Sequence, residues 1–114
     1  MTAFQIVYAT VTDPRRLQDY ARAAEPLFAA HGGRLVARGD ATVLEGEWPW
    51  HGAVVFAWPD RATAERVWQS AEYAAIHRLR DGAATFQVIL VEGTAPPDPP
   101  DATSPALRSN ASKG

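Results

Sequence analysis

The chain has 114 residues, 46% of them hydrophobic and 21% charged, which is the material of one globular domain. A net charge of −2 gives no basic footprint, which argues against a nucleic-acid partner. The absence of cysteine excludes disulfides and thiolate metal ligands and fits a reducing, cytoplasmic setting. No stretch approaches the roughly 20 apolar residues of a membrane span, and Met1 to Val7 lacks the basic start of a signal peptide.

Phe4 to Val11 reads as a strand that is apolar on both sides: Phe4, Ile6 and Tyr8 on one, Val7, Ala9 and Val11 on the other. Asp13 and Pro14 then open a helix as N-cap and first helical residue. Leu17, Ala21, Ala24 and Phe28 keep helical spacing to about His31, where Gly32-Gly33 stop it, and Pro26 is expected to bend the last turn. The stretch from Arg34 to Trp48 is expected to form a hairpin that turns at Asp40-Ala41 and lies in the middle of a sheet. In that register Arg34 faces Glu47, Val36 faces Glu45, and Arg38 lies diagonal to Glu45.

Trp48-Pro49-Trp50-His51-Gly52 reads as a loop and Ala53 to Trp58 as a further strand, again apolar on both sides. Asp60 caps a second helix whose buried stripe is Ala64, Val67, Trp68 and Ala71. Ser70 offers a fresh N-cap, so Ala71 to Arg80 is expected to be a short third helix, ended by Asp81-Gly82. Phe86 to Glu92 is the last strand. From Ala95 the composition changes to Pro, Ser and Asn, which divides the chain into a folded domain over 1–94 and a disordered Pro-rich tail over 95–114.

The order β-α-β-β-α-β is the split βαβ arrangement of a ferredoxin-like α+β sandwich with a four-stranded antiparallel sheet. Two helices cover one face of such a sheet. Strands apolar on both sides leave the other face needing a cover, and a second copy of the chain in a homodimer is the simplest one. The alternative is a monomer whose tail folds back across the sheet.

Three groups of residues carry chemistry. Arg38 and Glu45 suit an electrophile and a base acting on one ligand oxygen; the plain alternative is an ion pair that holds hairpin register. Tyr73, His77 and Arg80 share one helical face and offer a hydroxyl, a group titrating near neutrality and a fixed cation. The same row suits haem, with His77 as axial ligand, or else a core tyrosine beside solvated cations. Trp48, Trp50 and His51 crowd one loop, where the indoles would wall an apolar pocket and His51 would act as a base; the bland reading of His51 is a solvated loop histidine. Tyr20, on the first helix, would present its hydroxyl to the same cavity. No His and carboxylate spacing resembles a metal site, and no Gly-rich loop leads from a strand into a helix.

Gly32-Gly33-Arg34 through Gly39, Val43 through Trp48, Val54 through Pro59, Ser70-Ala71-Glu72-Tyr73 and Val91-Glu92-Gly93 together resemble the uncharacterised-domain family numbered thirteen-thirty. The resemblance spans residues 4–93 and implies a dimeric α+β barrel: a homodimer with sheets packed face to face and a pocket in each protomer. That superfamily includes cofactor-free oxygenases, isomerases, cyclases and haem-binding enzymes, so the fold alone leaves the chemistry open. The chain departs from the family pattern at Ala57, where a Glu is frequent, and at Ala71, where a Pro is frequent. The expectation is an enzyme without cofactor, acting by acid–base, isomerase, cyclase or oxygenase chemistry on a small apolar oxygenated molecule. A haem or porphyrin binder and a non-catalytic dimeric ligand-binding module are the alternatives.

Overall fold

The computed structural model describes residues 1–94; the expected Pro-rich tail over 95–114 lies outside them. The elements are β1 (Ala3–Val11), α1 (Pro14–Ala30), β2 (Arg34–Asp40), β3 (Gly52–Trp58), α2 (Arg61–Trp68), α3 (Ala71–His77) with a 3₁₀ turn at Arg78–Arg80, and β4 (Ala84–Glu92). They form the ferredoxin-like α+β fold, a four-stranded antiparallel sheet in the order β2-β3-β1-β4. The helices begin where the sequence provides caps. Asp13 accepts the amide of Arg16, Asp60 that of Thr63, and Ser70 that of Tyr73. Helix α1 continues through Pro26 to Ala30.

Strand register sorts the side chains onto two faces. Val7 lies between Val54 and Val88, and Ala9 between Gly52 and Phe86, on the face the helices cover. Ile6 lies between Val55 and Ile89, and Tyr8 between Ala53 and Gln87, on the other. The core sits at one end of the helix-covered face, where Phe28, Phe56, Trp58, Val67 and Tyr73 pack together. Phe28 holds three rings edge-on or tilted, with centroids 5.1 Å from Phe56, 5.2 Å from Trp58 and 5.7 Å from Tyr73. The Trp58 indole donates to the buried Gln5 Oε1 at 2.9 Å, so the one amide side chain among these rings is satisfied.

The hairpin expected over residues 34–48 is not formed. Strand β2 pairs with β3, at the edge of the sheet rather than its middle, and residues 41–51 make the connection as a loop. Gly52 sets this pairing, since a Cβ there would stand 2.7 Å from the Gly39 carbonyl oxygen. The register shifts between Leu35 and Ala37, a bulge that leaves Val36 unpaired. Its effect is to turn Arg34, opposite Ala57, and Arg38, opposite Val54, to opposite faces of the sheet. The simple alternation read from the sequence places both on one face, so the bulge overturns it.

Candidate functional site

The end of the helix-covered face away from the aromatic core is hollow. There α1 and the sheet oppose small residues, Ala21 and Ala24 against Ala9 and Gly52, where the other end has rings. Small side chains on both layers cannot fill the space between them. The result is a cavity of about 500 Å³ with an apolar wall that includes Val7, Val54 and Phe56.

Polar groups stand at its two ends. Glu25, Arg38, Asp40 and His51 are at the mouth, and Tyr20 and Arg80 are at the inner end with Phe86. At the mouth, Arg38 pairs with Glu25 at 2.5 Å, both side chains well exposed at 50% and 39%. Such a pair contributes little to stability. It replaces the expected Arg38–Glu45 pair: Glu45 is exposed in the 41–51 loop and is not part of the cavity wall.

The inner end is different in kind. Arg80, on the 3₁₀ turn, is only 8% exposed. Its guanidinium lies 4.1 Å from the centroid of Phe86, 5.4 Å from that of Tyr20 and 5.8 Å from that of Trp68. Its Nη2 donates to His77 Nε2 at 2.7 Å. A guanidinium only donates, so His77 Nε2 accepts and the imidazole is neutral with its proton on Nδ1. Burial, and then the Arg80 charge, hold the His77 pKa below its usual value of 6.5. Among the described residues Arg80 has no carboxylate within ion-pair distance.

The Tyr20 and Tyr73 hydroxyls are 2.6 Å apart, and their rings meet edge-on with centroids separated by 6.4 Å. Burial pushes both phenols above the usual value of 10.0, Tyr73 far above it. Both hydroxyls are therefore protonated in the physiological range. Tyr73 is fully buried behind Tyr20 and does not line the cavity, so it orients Tyr20 rather than meeting a ligand.

The expected site residues thus divide. Tyr20, Arg38, His51 and Arg80 line one cavity. Tyr73 and His77 stand behind it as the partners of Tyr20 and Arg80. Trp48 and Trp50, expected to wall the pocket, lie across the sheet from it: their rings pack on Tyr8, at 4.9 Å and 6.5 Å. His77 does not fit the role of haem ligand, because it is no part of the cavity wall and its Nε2 is engaged by Arg80. Among the described residues no three of His, Asp and Glu converge as a metal set.

Sequence reasoning missed Glu25 and Phe86. Glu25 is four residues beyond Ala21 on α1, which is a readable signal. Phe86 is visible only once β4 pairs with β1 and sets it opposite Ala9.

Three solved structures show the same fold. A protein of unknown function, RPA0582 of Rhodopseudomonas palustris, superposes with a TM-score of 0.66 at 18% identity over 83% of this chain and 84% of that one. A dimeric ferredoxin-like protein of unknown function from Jannaschia gives 0.62 at 9% identity, over 82% of this chain and all of the other (100%). SnoaB, a cofactor-independent oxygenase from Streptomyces nogalater, gives 0.58 at 17% identity over 87% and 97% of the two chains. No curated protein matches the sequence. The family profile described as Domain of unknown function (DUF1330) matches residues 2–94, nearly the whole described chain, and the chain belongs to that family.

Proposed function

We propose that the chain is a small-molecule enzyme of the dimeric α+β barrel type, carrying out acid–base chemistry on a small, mostly apolar oxygenated substrate in the cavity beneath α1, with no cofactor required. The observation that carries this reading is the inner end of that cavity, where Arg80 and the Tyr20 hydroxyl share an apolar chamber. A buried cation is normally neutralised by a carboxylate, and this one is surrounded by rings and a neutral imidazole. It is suited to stabilising negative charge that develops on a substrate oxygen, since its own burial among rings limits screening by water. Tyr20, kept protonated by burial, donates a second hydrogen bond to the same oxygen.

His51, exposed at the mouth, is the group placed to exchange a proton between substrate and solvent. Removal of a proton from carbon next to a carbonyl gives an enolate whose oxygen rests against Arg80 and Tyr20. Return of the proton at another carbon is isomerisation, attack on an internal electrophile is cyclisation, and reaction with dioxygen is oxygenation. The structural likeness to SnoaB, described as a cofactor-independent oxygenase, supports the last as a member of this set.

The second layer of the reading is the homodimer. Ile89 and Val91 are 38% and 47% exposed on the uncovered sheet face, beside Phe4 and Ile6. On that same side Trp48 buries an indole N–H with no acceptor among the described residues. A second copy laid across the face covers the apolar strip and can supply that acceptor. Dimeric ferredoxin-like neighbours support this arrangement.

The direct experiment is to identify the small molecules that co-purify with the protein by mass spectrometry and to offer them back as substrates. Turnover is expected to fall about a hundredfold or more in Tyr20→Phe and Arg80→Gln, and to be unchanged in Glu45→Ala. Turnover indifferent to Tyr20 and Arg80 contradicts the proposal, and a bound molecule that is never converted makes the chain a binding module instead.

A further inference from the structure

We infer that the ligand carries an anionic oxygen, as carboxylate or enolate, on an apolar body, and that it binds with this oxygen held between Arg80 and the Tyr20 hydroxyl at the inner end of the cavity. The inference rests on the cavity being the functional site and specifies what it selects.

Donors at the inner end exceed acceptors. A guanidinium carries five N–H donors in a planar fork; among the described residues His77 Nε2 accepts one and the Tyr20 hydroxyl oxygen stands close enough to accept another, which still leaves donors over. The remaining donors belong to a side chain that lines the cavity. The two tyrosines add to the surplus. Within the 2.6 Å pair one hydroxyl donates to the other. When Tyr73 donates to Tyr20, the Tyr20 proton is free, and Tyr20 is the member that faces the cavity. Each additional donor is best satisfied by an acceptor that the protein does not supply, and an anionic oxygen accepts from both.

The geometry fixes where that oxygen lies along the cavity. Phe86, Tyr20 and Trp68 cage the guanidinium, leaving its approach from the cavity side. The apolar wall of Val7, Val54 and Phe56 then receives the hydrocarbon part of the ligand. At the mouth Glu25 already neutralises Arg38, so that cation does not compete for the anion. His77 serves as a positioning residue: being an acceptor, it anchors one nitrogen of the fork without adding a rival positive charge.

Calorimetric titration of the full chain with a panel of medium-chain alkanoic and bicyclic aryl carboxylic acids, each beside its primary amide, tests this. The amide keeps the shape and loses the charge. The expected result is that at least one acid binds about tenfold or more tighter than its amide, a preference abolished in Arg80→Gln and weakened in Arg80→Lys, which keeps the charge without the fork. Ala21→Trp, which fills the cavity from α1, should abolish binding of both. If acid and amide bind equally and both are lost in Ala21→Trp, the cavity reading stands and the anion inference is overturned. If no member binds, or binding survives Ala21→Trp, both fall together. Should Arg80→Gln not fold, the comparison of acid and amide on the native protein decides the question alone.

Discussion

Arg80 is the residue on which the proposed site depends, and its neighbours yield separate tests. The Tyr20–Tyr73 hydroxyl pair is a part-buried hydrogen bond, so Tyr73→Phe should cost about 1 kcal/mol by leaving the Tyr20 hydroxyl without its partner. Tyr20→Phe should cost a similar amount, and the double variant should cost less than the sum, because removing both hydroxyls leaves no orphan. Urea unfolding of the four proteins measures this, and strict additivity would mean that the two hydroxyls do not interact. His77 predicts a pH effect. Its pKa is depressed in the folded chain, so below about 6.5 the unfolded chain binds the proton more readily. The stability it supports is complete above that pH and declines as pH falls toward the folded value. Thermal unfolding followed from neutral to mildly acidic pH should show the decline, and His77→Gln should flatten it. Asp60, whose pKa is lowered by the Thr63 amide, acts in a distinct and more acidic window: its contribution is lost as pH falls below 3.8.

At the scale of the elements, the proposed site hangs on the start of α3. Ser70 accepts the Tyr73 amide at 3.1 Å and donates to the Val67 carbonyl at 2.7 Å, joining α2 to the helix that carries Tyr73 and His77. Ser70→Ala should cost about 1 kcal/mol and should loosen the Arg80 cage, read as lower stability together with weaker ligand binding. Gly33 plays a comparable part for β2. A Cβ there would stand 2.9 Å from the Trp58 ring, which is held in the core, so Gly33→Ala should cost about 1–3 kcal/mol in unfolding experiments. Most elements were legible in the sequence, because caps, apolar spacing and Gly stops are local signals: α1, α2, α3, β1, β3 and β4 fall within a few residues of expectation. The hairpin was not. Alternating charges across a Gly-Asp pair imitate a two-residue turn, whereas the partner of β2 is set by the fit of Gly39 against Gly52, a contact between distant residues. The site followed the same division. Tyr20, His51 and Arg80 could be nominated from residue type and helix position, but pairing Arg38 with Glu25 and sending Trp48 across the sheet required the bulge and the true register.

The whole molecule is organised as a sheet with unlike faces. One is covered by helices and holds the cavity; the other presents Ile6, Ile89 and Val91. If a second copy covers the latter, Ile89→Lys should yield a monomer in sedimentation velocity experiments at micromolar concentration, with the native protein sedimenting as a dimer. A native protein that sediments as a monomer would contradict the dimer while leaving the cavity in place, since its wall comes from a single chain. No helix among the described residues is long and apolar enough to cross a membrane. The central claim, that the ligand site lies beneath α1, is tested most directly by backbone amide NMR during titration with the molecule that co-purifies. The account predicts shifts concentrated at Tyr20, Glu25, His51, Arg80 and Phe86; shifts confined to Tyr8, Trp48 and Ile89, across the sheet, would contradict it.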